Sequence, residues 1–195
     1  MADPTHDLFE MRRLESLSNT IFGVAMTLLA NNLPKAGEFK AMPTWGDLAQ
    51  LYSGRVTGLI LSFIIAGVFW ISHHRRLARQ PEAGRHIVLL NLMFLLSIVL
   101  LPVTNGLYGN YGMSSAVAVL FGLHLTVIAG LNATLWWLVH GFRHQLIAAL
   151  FPLAVFLPGT VVASVAPQYA SYFWFLAFGS LLIRRRMDAP TAGKT

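Results

Sequence analysis

The chain of 195 residues contains no cysteine. Disulfide frameworks, thiolate metal sites and cysteine nucleophiles are therefore excluded. Charge is scarce: only 11% of residues are Asp, Glu, Lys or Arg, against roughly 25% in a soluble domain. Acidic residues number eight, and none falls inside the long apolar runs. The sequence also lacks H-E-x-x-H, G-x-S-x-G and paired intramembrane carboxylates, which removes the familiar signatures of a membrane hydrolase. With 55% apolar residues, most of the surface has no need of water, and the charges cluster between apolar runs as in a membrane protein.

A helix needs about 20 apolar residues to cross the hydrocarbon core. Six stretches are expected to do so, at 17–33, 56–74, 86–107, 115–139, 145–165 and 168–183, which gives one all-α, six-helix transmembrane domain over residues 1–195. The first 16 residues, MADPTHDLFEMRRLES, have no apolar signal-like core and read as a short cytoplasmic tail. With that tail inside, Arg12, Arg13, Arg75, Arg76, Arg79, Arg85, Arg143, Arg184, Arg185, Arg186 and Lys194 lie on the inner side. Only Lys35, Lys40 and Arg55 lie outside. This positive-inside bias places both termini in the cytoplasm and the chain in a cell membrane. It also accounts for the net charge of +6 without nucleic acid.

Between the runs, residues 45–52 suggest a separate amphipathic helix on the outer surface. The glycine-rich TNGLYGNYGMSS, 104–115, reads as a turn, and Pro158-Gly159 is expected to kink or end the fifth helix. Trp136, Trp137 and Trp174 are either interfacial or packed between helices.

The first helix is unusually polar. Steps of four, three and four put Thr20, Val24, Thr27 and Asn31 on one stripe, with Leu28 beside it and Ile21, Phe22, Met26 and Leu29 elsewhere. In lipid such a stripe must face protein or water. One reading is structural: the threonines bond back to carbonyls one turn earlier, and Gly23, Ala25 and Ala30 let helices approach. The other is that several copies of the stripe meet around an axis and line a wet path, which closed cyclic symmetry achieves. At the inner end, Arg13, Ser18 and Asn19 lie at the same level as Trp70, His73 and His74 of the second helix. A hydrogen-bond network there would fix the rotation of the first helix. His124 reads as a neutral histidine bonded to a neighbouring helix, and Asn91 and Asn132 as interhelical hydrogen-bonding residues.

R-x-x-x-L-S-N, from Arg13 through Leu17, Ser18 and Asn19, resembles the R-x-x-x-F-S-D signature of the lysosomal potassium channel family, transmembrane protein 175, and its bacterial relatives. FWISHHRR, 69–76, is similar to the W-x-x-H-H-R ending of the family's second helix, and LLPVTNGLYGNYG, 100–112, to the end of its third. Leu17 stands where the family has Phe, and Asn19 where it has Asp. The resemblance implies a homotetramer of six-helix subunits in membrane lipid, with the first helices lining the pore. It places the aliphatic constriction at Val24, the selectivity-linked threonine at Thr27 and further constriction positions at Leu28 and Asn31. It implies no cofactor and no bound metal beyond permeant K⁺ near Thr27. The TVGYG loop of carbonyl filters is absent, so modest K⁺ over Na⁺ selectivity is expected. Two other classes compete: a membrane enzyme or haem protein using His73, His74, His86, His124 or His140, and a small secondary transporter, which would need paired broken helices.

Overall fold

The computed structural model describes residues 8–39, 41–77, 82–141 and 144–179. The protein is a helical bundle. Helix α1 spans Met11–Leu29 and ends in a 3-10 turn at Ala30–Asn32. A second 3-10 turn, Ala36–Glu38, precedes α2, Trp45–Leu77. Helices α3, Arg85–Tyr111, and α4, Ser115–His140, follow. The chain continues through α5, His144–Val165, and α6, Pro167–Phe175, to a last 3-10 turn at Leu176–Phe178. Two three-residue strands, β1 (Leu8–Glu10) and β2 (Glu82–Gly84), pair antiparallel and tie the start of α1 to the start of α3.

Four of these helices, α2, α3, α4 and α5, are long and apolar enough to cross a membrane. The other two expected spans, 17–33 and 168–183, are not among them in the described residues. Helix α1 begins with Arg12, Arg13 and Glu15 and carries hydroxyls and amides beyond them, so its composition falls short. The described part of the sixth stretch is a nine-residue α-helix and a 3-10 turn, and 180–183 lie outside the described residues. The separate surface helix at 45–52 is corrected. Those residues form the first turns of α2, which runs unbroken for 33 residues. Likewise the glycine-rich stretch is helical as far as Tyr111, leaving only Gly112–Ser114 as the turn into α4. Helix α5 passes through Pro152 and Pro158 without ending.

The reason lies in packing. Gly54 and Gly58 of α2 face Gly109 of α3. A methyl at Gly54 would lie 3.1 Å from the Gly109 carbonyl oxygen, and one at Gly109 would lie 3.3 Å from the Arg55 Cα. These glycines bring two helix backbones together, as small residues do in membranes, rather than turning the chain. Helices α1 and α2 both pack on α3, α3 packs on α4, α4 on α5, and α5 on α6. One apolar core joins them through Phe22, Leu61, Phe69, Phe94, Phe121, Phe156 and Trp174. Trp136 and Trp174 are buried and Trp137 is exposed, which settles where the three tryptophans lie.

Candidate functional site

Helix α1 has two unlike faces. Leu14, Ser18, Phe22, Ala25 and Leu29, at steps of four, four, three and four, are all buried against α2 and α3. Leu17, Thr20, Val24, Thr27, Leu28 and Asn31 lie on the other side and are exposed, Val24 at 55% and Leu28 at 46%. A methyl built on Gly23 would meet nothing within 4 Å, so this face is open along its length. The stripe read from the sequence is therefore on the uncovered side of the helix.

The threonine hydroxyls on that face are oriented by the helix itself. Thr20 Oγ1 donates to the Ser16 carbonyl at 3.0 Å, and Thr27 Oγ1 donates to the Gly23 carbonyl at 2.8 Å. The structural reading of the threonines is thus satisfied. It does not compete with a wet path, because the hydroxyl hydrogen is spent inward and both oxygen lone pairs remain free to accept. Such an oxygen can replace one water in a cation's hydration shell. Among the described residues no carboxylate follows Glu15 along α1, so this surface holds oxygen dipoles and aliphatic groups rather than fixed negative charge.

Two polar contacts join the basic end of α2 to α1. Trp70 Nε1 donates to Asn19 Oδ1 at 2.9 Å. His74 Nδ1 lies 2.9 Å from Glu15 Oε1, and its ring stacks on Trp70 with centroids 5.8 Å apart. Asn19 keeps the acceptor a carboxylate would supply there and drops the charge. At the other end of α1, Asn32 Nδ2 donates to the Pro102 carbonyl of α3 at 2.7 Å. This contact needs Gly106, where a methyl would come within 2.6 Å of Asn32 Oδ1. Helix α1 is thus held at both ends with its polar stripe facing away from the bundle.

Not every expected member of the network takes part. Ser18 is buried, and its hydroxyl donates to the Leu14 carbonyl of its own helix at 2.7 Å rather than to α2. Arg13 is exposed. His73 points away from α1's polar groups. It is buried, stacks on Phe94 with centroids 5.7 Å apart and bonds Asn91 Oδ1 through Nε2 at 2.9 Å. Sequence reasoning missed Arg76 and Asn32. Arg76 read as one more inner-side anchor, yet it is fully buried, bonded to Asn91 and Asn132. The tryptophan, histidine and asparagine spacing around it was the available signal.

His124 engages α3 with both ring nitrogens, Nδ1 to Thr104 Oγ1 at 2.8 Å and Nε2 to the Ser97 carbonyl at 3.0 Å. It is the interhelical histidine the sequence suggested. Among the described residues, no group of three or more His, Asp or Glu side chains is placed to hold a metal ion. A cleft of about 620 Å³ opens between the first turns of α2, the end of α3 and the start of α6, lined in part by Gln50, Arg55, Tyr108 and Gln168. It receives no side chain from α1.

Residues 13–102, which take in most of α1, all of α2 and most of α3, match the sequence model of the endosomal/lysosomal potassium channel TMEM175. The chain is 25% identical over 134 residues to a potassium channel of Streptomyces collinus, a match covering 66% of this chain and 64% of that protein. It is 22% identical over 178 residues to a potassium channel of a Chryseobacterium species, covering 84% and 88%. The fold is that of the crystal structure of a lysosomal potassium-selective channel TMEM175 homolog from Chamaesiphon minutus. The TM-score is 0.78 at 19% identity, over 92% of this chain and 98% of that one. These relatives are potassium channels, and the match to the TMEM175 family model, confined to α1–α3, takes in just under half of this chain.

Proposed function

We propose that this chain is one subunit of a potassium channel, with the exposed face of α1 lining a pore between four copies. The observation that carries this reading is the asymmetry of α1. Phe22, Ala25 and Leu29 are packed into the protomer, while Thr20, Val24, Thr27, Leu28 and Asn31 are left uncovered by it. A face with hydroxyls and an amide in a membrane-embedded bundle requires protein or water against it. Four such faces around a shared axis satisfy each other. The potassium-channel relatives and the family match support the same reading.

In that assembly Val24 forms an aliphatic ring that closes the path by excluding water, with Leu28 prolonging the narrow section and Asn31 relaxing its far end. Thr27 places a ring of outward lone pairs beside it, since its hydrogen is donated to Gly23. Neutral oxygens bind K⁺ weakly, which lets ions leave as readily as they enter, and they discriminate modestly against Na⁺. Trp70, Asn19, His74 and Glu15 set the rotation of α1 so that Thr27 stays on the axis. The chain acts as a single six-helix domain in a cell membrane, with both termini cytoplasmic as the distribution of Arg and Lys requires. Its partners are its own copies, membrane lipid and monovalent cations.

Recording purified protein in planar bilayers under opposed K⁺ and Na⁺ gradients tests the reading. The expected reversal potential is displaced toward the K⁺ equilibrium value. A reversal potential at zero, or no conductance, defeats it.

A further inference from the structure

Arg76, near the end of α2, is a buried cation that the proposed ion path does not use. Its guanidinium is fully buried. Nη1 donates to Asn132 Oδ1 at 3.2 Å and Nη2 to Asn91 Oδ1 at 3.3 Å, and its Cζ sits 5.7 Å from the centre of the Phe94 ring. No carboxylate among the described residues reaches it. Burying an ionised group costs several kcal/mol unless a counter-charge is supplied. Two amide dipoles and one ring face supply only part of it.

The hydrogen-bond balance points the same way. Asn132 Oδ1 also accepts from Ser72 Oγ at 3.1 Å, and Asn91 Oδ1 also contacts His73 Nε2 at 2.9 Å. Each carboxamide oxygen has two lone pairs, so both are saturated. The oxygens cannot be exchanged with the nitrogens by turning the amides over, because Nδ2 would then face the guanidinium. The Nδ2 atoms of Asn91 and Asn132 have no hydrogen-bond partner among the described residues, and both residues are at most 1% exposed. Each orphan donor therefore belongs to a carboxamide whose oxygen is already bonded to the guanidinium. The unmet groups there are N–H donors around a positive charge. A water molecule would bring two further O–H donors to a place where the amide oxygens are taken. An anion brings negative charge and acceptor capacity alone.

We propose that Arg76, Asn91 and Asn132 form a buried site for a small monovalent anion of the halide class, between α2, α3 and α4. Arg76, Asn91 and Asn132 are each at most 1% exposed, which favours a monatomic ion over a phosphate or carboxylate ligand. The anion would neutralise Arg76 and lock α2, which carries Trp70 and His74, against α3 and α4. The site rests on the fold, not on the pore reading.

Thermal unfolding of the purified protein in detergent, at fixed K⁺ concentration and ionic strength, compares potassium chloride, bromide and gluconate. The midpoint is expected to rise with halide and to saturate, by roughly 5–10 °C at about a hundredfold excess over Kd. Asn132→Asp supplies an internal carboxylate of the same shape. This variant is expected to unfold in gluconate no earlier than the parent does in chloride, and to lose the halide dependence. Equal midpoints in all three salts, a rise that stays linear without saturating, or a halide dependence retained in Asn132→Asp overturns the site. Should that variant fail to fold, anomalous scattering from bromide-grown crystals decides. A peak beside Arg76 supports the site, and the absence of one overturns it.

Discussion

The anchoring of α1 on α3 can be tested by adding one methyl group. In Gly106→Ala the new Cβ lies 2.6 Å from Asn32 Oδ1, 3.0 Å from its Cγ and 3.3 Å from Nδ2. All three atoms belong to one flexible side chain, so Asn32 must swing away and give up its 2.7 Å bond to the Pro102 carbonyl. That loss costs about 1 kcal/mol. Alanine in place of glycine inside a helix returns about 1 kcal/mol. The single variant is therefore expected to be near neutral in stability. Asn32→Ala alone is expected to cost about 1 kcal/mol. In the Asn32→Ala background the clash has gone, and Gly106→Ala is expected to stabilise by about 1 kcal/mol. The coupling between the two sites is then about 1 kcal/mol, measurable by equilibrium unfolding in mixed micelles. In bilayers Gly106→Ala is also expected to lower K⁺/Na⁺ discrimination while leaving stability almost unchanged, because the end of α1 is released. If Gly106→Ala has the same effect in both backgrounds, Asn32 is not the group that glycine accommodates, and the reasoning fails.

Thr27→Val keeps the shape and removes the outward lone pairs, so reversal potentials should show reduced K⁺ over Na⁺ preference with conductance retained. Val24→Ala should raise single-channel conductance and Val24→Phe should nearly abolish it. Unchanged currents in both would remove Val24 from the constriction. Trp70→Phe retains the ring beside His74 but loses the 2.9 Å bond to Asn19. It should lower unfolding stability by roughly 0.5–1.5 kcal/mol and broaden the distribution of open-channel current levels. Trp174→Ala opens a hole in the core where α4, α5 and α6 meet. It should cost roughly 3–5 kcal/mol by the same unfolding assay.

The two faces of α1 were legible because helical spacing separates them: Phe22, Ala25 and Leu29 against Thr20, Val24, Thr27 and Asn31. Helix α4 was legible almost to the residue, since Ser114 and Gly141 flank a long, mostly apolar run without Asp, Glu, Lys or Arg. Gly54, Gly58 and Gly109 misled the reading. A glycine that lets two backbones touch looks, in sequence, like one that turns the chain, and only the partner helix distinguishes them. Arg76 misled it for a related reason. Next to His74 and Arg75 it belongs to a basic cluster, and a 3.6-residue turn is all that sends Arg76 inward while His74 and Arg75 remain exposed. The buried asparagines that receive it, Asn91 and Asn132, were recognisable as interhelical hydrogen-bonding residues, but their common partner was not.

Because the chain has no cysteine, single thiols can be placed in an otherwise unreactive background. Silver ion, a monovalent cation similar in size to K⁺, can then be applied during bilayer recording. Thr20→Cys and Thr27→Cys channels should lose current irreversibly on Ag⁺ exposure, while Phe22→Cys and Ala25→Cys channels should not. Block at the buried positions, or no block at Thr20 and Thr27, would mean that the exposed face of α1 does not line the ion path.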